Sequence, residues 1–251
     1  MNKDEHYLRS RFLDLANTAF HRNIYTYTDF LNINEIHILK CMETQLPPVN
    51  IRLTGGNNYA ERKIAIFSPM DIYYDETIPI SIIRIAPKNS KYSDILTHRD
   101  YLGAILNLGI TRNKIGDIFI LEGEAYVYCI TDIAKYICEN LSKIKHTFIT
   151  IGIVDIPDFT VKPSLKNVTG TISNIRLDSL ISVAFQTSRN SIVSLIEGGK
   201  VFVNGRLVTS NGYSVKKDDI ISVRGKGRFI YNGILKNTKK GRNLVSLDLY
   251  I

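Results

Sequence analysis

The pattern of apolar and polar positions divides the chain into short elements of changing period. Leu8, Phe12, Leu15, Ala16 and Phe20 recur at helical spacing and predict an amphipathic helix over 6–23. A second helix is expected over 34–46, with Ile36, Ile38, Leu39 and Met42 facing inward and Pro47-Pro48 ending it. Residues 49–53 and 63–67 read as strands on either side of the turn-forming Gly55-Gly56-Asn57-Asn58. From residue 77 the order changes. A strand at 78–85 leads to a helix at 97–108 capped by Thr97, then to strands at 115–121 and 124–130 about Glu122-Gly123. A helix at 131–144 and a strand at 146–156 follow. This β-α-β-β-α-β order is the ferredoxin-like arrangement, which the RRM RNA-binding domain shares.

Residues 157–174, with Pro157, Pro163 and Gly170, read as a connection. Beyond them two short helices are predicted. The first, over 176–185, puts Leu177, Leu180, Ile181 and Ala184 on one face; the second, over 188–197, runs from Ser188 to Gly198-Gly199. Short strands near 201–203, 213–215, 219–223 and 229–230 complete the chain, with Asn204-Gly205 as a hairpin turn. The expected fold class is therefore α+β, in three small domains: an N-terminal α/β domain at 1–74, a ferredoxin-like (RRM-like) domain at 75–160 and, after a linker at 161–174, a third at 175–251.

Charge changes this picture. Residues 1–170 hold 19 Lys/Arg and 19 Asp/Glu, whereas residues 171–251 hold 13 and 5. The entire net charge of +8 belongs to the last third, where it is interleaved with Val, Ile and Phe. A folded domain with that excess predicts a polyanionic partner, because neutralising phosphates releases counterions. No apolar run reaches the roughly 18 residues of a membrane span. The first residues do not read as a signal peptide, so a cytoplasmic protein without a membrane partner is expected. Cys41, Cys129 and Cys138 are odd in number and form no CxxC pair, which predicts reduced, buried thiols and no metal site.

The cations fall at predicted loops and element ends. Arg176 and Arg189 open two helices, where the helix dipole disfavours a cation unless another partner, such as a phosphate, is present. Lys200 follows a glycine turn, Arg206 follows the hairpin turn, and Arg224, Lys226 and Arg228 flank Gly225 and Gly227. With Ser188, Asn190 and Asn204 they form the candidate RNA-binding set. The bland alternative is an ion pair from Arg176 to Asp178 or Glu197, worth only about 0–1 kcal/mol at a surface. Lys236, Lys239, Lys240 and Arg242 read as a solvated basic extension.

Outside this set, Arg99, Arg112, Lys114, Arg62 and Lys63 are secondary candidate contacts. His98 and Asp100 stand two apart on a helix and point different ways, and no nucleophile motif lies near, so no catalytic residue and no cofactor is expected. Gly55-Gly56 lacks the GK[ST] of a P-loop. Tyr126 and Tyr128 alternate on one face of a strand, suited equally to base stacking or to packing.

Several strings resemble known families. Arg176-Leu177-Asp178, Ser188-Arg189, the run Gly199 to Gly205 and Val215 to Ile221 resemble the S-four RNA-binding domain, with Asp218 where a glycine is usual. GGNNYAERKIAIFSP (55–69) and LTHRDYLGAILNLGITRNKIGDI (96–118) resemble segments of the YlmH family of bacterial proteins. That resemblance spans almost the whole chain. It implies an RRM-like middle domain and a C-terminal S-four domain. It also implies association with the large ribosomal subunit and a role in rescuing or processing stalled nascent chains. The expected protein is a monomer that binds ribosomal RNA and tRNA, with a protein partner on residues 1–160. The competing expectation is an RNA-modifying, pseudouridine synthase-like enzyme, which needs an aspartate in an Arg-Leu-Asp context. The triplet 176–178 is the one such context, and the S-four helix already uses it.

Overall fold

The computed structural model describes residues 3–71, 74–89, 93–155, 165–238 and 241–250. The chain forms two compact units, 1–162 and 163–251.

In the first unit, helix α1 (Lys3–Arg22) and α2 (Ile33–Cys41) pack on a three-stranded sheet ordered β1-β3-β2, made of β1 (Thr26–Tyr27), β2 (Val49–Thr54) and β3 (Ile64–Pro69). Phe12, Ala16 and Ala19 of α1 are fully buried against Leu39, Met42 and Phe67. Phe20 was expected inward but is 42% exposed, and Ala19 takes the core position. Asn32 caps α2 in a reciprocal box with Glu35.

The rest of this unit is a five-stranded sheet ordered β5-β6-β4-β8-β7, from β4 (Ile80–Pro87), β5 (Ile115–Leu121), β6 (Glu124–Ile130), β7 (Lys143–Ile144) and β8 (Thr147–Val154), with α3 (His98–Leu106) and α4 (Thr131–Asn140) on one face. Its four main strands follow the ferredoxin-like order. The opposite face, which RRMs offer to bases, is partly covered. Ile82, Tyr128 and Ile130 from it form one buried cluster with Phe30, Ile64 and Ile66. Tyr128 is 2% exposed, so it packs rather than stacks on bases.

A bulge in β5 creates this junction. The register with β6 slips between Ile115 and Ile118, leaving Gly116 and Asp117 opposite a single residue. Gly116 lies under the Phe30 ring, where an added Cβ would come within 2.6 Å of it.

The second unit is a six-stranded antiparallel sheet ordered β11-β10-β12-β13-β14-β9, with α5 (Leu177–Phe185) and α6 (Arg189–Glu197) packed on it. Its strands are β9 (Leu165–Ile172), β10 (Val201–Val203), β11 (Arg206–Leu207), β12 (Ile220–Val223), β13 (Gly227–Asn237) and β14 (Asn243–Tyr250). Three expectations are corrected here. The connection assigned to 161–174 contains β9, which pairs with β14 along its whole length. The basic extension is the β13–β14 ribbon, with Lys239 and Lys240 outside the described residues. The strand expected at 213–215 is a loop whose carbonyls bind α5. Of the thiols, Cys129 is buried but Cys41 is exposed, against the expectation that all are buried.

Candidate nucleic-acid interface

The sequence fixes where α5 and α6 begin, and their starts meet. Arg176 is the N-cap of α5, in extended conformation, and its guanidinium is directed at the second residue of the helix. Nε and a terminal nitrogen donate to the two oxygens of Asp178, each at 3.3 Å. Asp178 is 7% exposed and also accepts from Ser179 Oγ at 3.2 Å. Ser179 Oγ in turn accepts from the Arg189 guanidinium at 3.2 Å. Two arginines from different helices are thus tied to one buried carboxylate, the second through a serine hydroxyl. The ion pair considered for Arg176 is present, and its partner is Asp178; Glu197 instead accepts from Asn211.

The two helix starts differ in what they offer a phosphate. At α5 the backbone N–H groups of Leu177 and Asp178 donate to Tyr213 O and Asn211 O, so the loop has already taken them. At α6 residues 188–191 are all exposed, and the Ser188 hydroxyl gives no cap but lies 2.9 Å from Ser191 Oγ. The first turn of α6 therefore faces outward with Arg189 and Asn190 on it, the arrangement that binds anions.

Further cations lie at the same end of the sheet. Lys226 Nζ donates to Thr187 Oγ1 at 3.3 Å, which brings the β12–β13 turn against the residue before the N-cap of α6. Arg224 N donates to Lys200 O at 2.9 Å, and its guanidinium sits 5.0 Å from the centre of the Phe202 ring. Arg228 lies within β13 and stacks at 4.8 Å on Tyr250, with burial lowering its pKa. Asn204 and Arg206 belong to the other end of β10. Asn204 (φ 48°) and Gly205 (φ 77°) make the expected turn. The Asn204 side chain is engaged internally, donating to Asp219 and accepting from Ile220 N.

The secondary candidates are placed differently. Arg62 donates to Ile115 O (3.1 Å) and Phe30 O (2.7 Å), and Arg112 to Ile115 O and Gly116 O. Burial lowers the pKa of both, that of Arg112 to about 10. Between them Asp117 accepts from the N–H groups of Glu61 (2.6 Å) and Arg62 (3.0 Å), and burial raises its pKa despite the neighbouring charge. Lys114 pairs with Asp29 at 2.7 Å. Lys63 is joined to Leu31 by backbone bonds and is half-buried. Arg62, Asp117 and Lys114 fasten the two sheets of the first unit together. Arg99 is exposed on α3, beside a shallow groove of about 450 Å³ that Lys143 and Lys145 also line. A second groove of about 600 Å³ between α1 and α2 is lined by Glu5, Arg11, Asp29 and Glu35, whose carboxylates are taken by Arg9, Lys114 and the Asn32 N–H.

Ser179 and Thr187 escaped the sequence reading, since a hydroxyl ten residues from Arg189 leaves no periodic signal. Among the described residues no cluster of His, Cys, Asp and Glu is arranged to hold a metal, and no helix is long and apolar enough to cross a membrane.

Fold and site together define an RNA-binding protein with a C-terminal S4 domain: residues 175–221 match the S4 domain model. Residues 76–158 match the model described as "Putative RNA-binding domain in YlmH". The chain is 30% identical over 225 residues to ribosome-associated protein quality control protein P2 of Bacillus subtilis (strain 168), covering 88% of this chain and 86% of that protein. It belongs to the YlmH family. Cell division protein ylmH from Streptococcus pneumoniae has a related fold, with a TM-score of 0.51 at 17% identity over 62% of this chain and 93% of that one.

Proposed function

We propose that this protein is a non-catalytic, cytoplasmic factor that binds ribosomal RNA of the large subunit as a monomer and acts in quality control of stalled nascent chains. The observation that carries the reading is the convergence of Arg176 and Arg189 on Asp178 and Ser179, beside the open first turn of α6. A guanidinium held by one hydrogen bond at 3.2 Å keeps further donors for a phosphate. Lys200, Arg224 and Lys226 extend the surface. The relative from Bacillus subtilis is named for association with the ribosome and for quality control, which supports the choice of RNA. Contact with tRNA belongs to the same proposal, since both RNAs offer phosphodiester backbone.

The first unit has a different part. The RRM-like sheet of β4, β5, β6 and β8 has its base-reading face partly covered by Phe30, Ile64 and Ile66. Arg62 and Arg112 serve the junction, so Arg99 is the secondary contact retained. We assign residues 1–160 to a protein partner. The aspartate that an enzyme of the pseudouridine synthase kind would need, Asp178, is buried under Arg176. Co-sedimentation with purified ribosomal subunits, followed by crosslink mapping, tests the proposal. Crosslinks from the α6 start to large-subunit RNA are expected. Absence of sedimentation, or a modified nucleotide found by mass analysis of incubated RNA, contradicts it.

A further inference from the structure

The second unit has a cationic region that the S4 match does not reach. Between Asp219 and Asp248 the chain carries seven Lys/Arg and no Asp or Glu. Part of that charge lies at the start of β13, where Lys226 meets Thr187. Lys236 lies at the far end of the same strand, and Arg242 immediately before β14. Residues 234–237 are all exposed, including Ile234 (46%) and Leu235 (59%). Neighbouring residues of a strand point to opposite faces, so exposure of all four means both faces of the ribbon are bare. The slip in register between Ile234 and Lys236 marks where the ribbon leaves the core: Ile234 still pairs with fully buried Val245, whereas Lys236 pairs with half-exposed Leu244. Thr238 N donates to Arg242 O at 2.7 Å and Arg242 N to Thr238 Oγ1 at 3.0 Å. These bonds hold Arg242 across from Thr238, on the diagonal from Lys236.

We propose that the β13–β14 ribbon is a second contact for the backbone of duplex RNA, with Lys236 and Arg242 as its phosphate-binding groups. The inference rests on the RNA-binding reading above and adds a geometry to it. The eleven residues of β13, at roughly 3.3 Å each, separate the ribbon's end from the Lys226–Thr187 end by about 30 Å. A rigid sheet with cations at both ends suits a stem long enough to present phosphates at both, and binds a short stem at one end alone.

The test compares the full-length protein with Lys236→Glu/Arg242→Glu on RNA hairpins whose stems have about 8 and about 16 base pairs. The natural sequence is expected to prefer the longer stem by about tenfold or more, with a salt dependence steeper by about two ion equivalents. The double variant should bind both stems alike, at the short-stem affinity. Lys236→Ala/Arg242→Ala should lose the same preference, which separates loss of contact from repulsion. A length preference that survives both substitutions, or is absent from the natural sequence, overturns the proposal. If ribosome co-sedimentation persists in that case, the ribbon alone is wrong; if co-sedimentation is also absent, the RNA reading beneath it has failed.

Discussion

Asp117 Oδ2 accepts the backbone N–H of Arg62 at 3.0 Å, joining residues 55 positions apart. The bulge in β5 turns this carboxylate towards the loop before β3, and Arg62 returns its own guanidinium to Ile115 O on the bulged strand. Asp117→Ala leaves two half-buried N–H groups without their acceptor and is expected to cost about 1–3 kcal/mol. Arg62→Ala should cost a similar amount, and the pair should be less than additive because both remove one network. Urea denaturation of the single and double variants checks this.

Asp117 and Asp100 contribute to pH dependence with opposite signs. Burial raises the Asp117 pKa above its unfolded value, so its contribution is present in acid and is lost as pH rises through the folded value. Asp100 is held down to about 2, chiefly by Lys145 and also by Thr97. Its contribution is present above about pH 4 and lost on acidification towards 2. Asp100→Asn should therefore flatten the acid limb of the stability curve below about pH 4, measured by thermal unfolding in a pH series. An unchanged limb contradicts the assignment.

Two glycines should respond oppositely to a methyl group. At Gly116 the new Cβ meets the Phe30 ring at 2.6 Å, and Gly116→Ala is expected to destabilise by about 1–3 kcal/mol. At Gly103, inside α3, nothing lies within 4 Å of the new atom, and Gly103→Ala should stabilise by up to about 1 kcal/mol. Calorimetry of the two variants gives both signs at once.

The thiols should differ in reactivity. Burial pushes the Cys129 pKa up to about 12, while Cys41 is exposed. A thiol-specific reagent is expected to label Cys41 at once in the native protein and Cys129 after denaturant is added. Prompt labelling of Cys129 would show that the β4–β6 core is open.

Local signals carried most of the fold. The helical period of α5 named Leu177, Leu180, Ile181 and Ala184, and all four are buried. The four-strand pattern of 80–154 likewise announced a ferredoxin-like sheet. β9 escaped because an edge strand reading Leu-Lys-Asn-Val-Thr-Gly-Thr-Ile has little apolar alternation and follows a proline. Its Gly170 exists for packing, since a Cβ there would come within 2.5 Å of Val183 on α5. The candidate site was legible in its cations but not in their division of labour. That Arg62 and Arg112 would serve Asp117, and Arg189 would reach Ser179, depends on contacts between distant segments that no periodicity encodes.

The two arginines of the interface differ for the same reason. Arg176→Ala removes the partner of a buried carboxylate and should lower stability as well as RNA affinity, so it is an ambiguous probe. Arg189→Ala removes an exposed side chain with one hydrogen bond and should leave the fold intact. The most direct measurement is therefore the RNA affinity of Arg189→Ala against the natural sequence across a salt titration, with unfolding curves as control. The expected result is weaker binding at every salt concentration, a slope of log K against log salt reduced by about one, and an unchanged unfolding transition. Equal affinity and equal slope in a folded variant would contradict the placement of the RNA site at the start of α6.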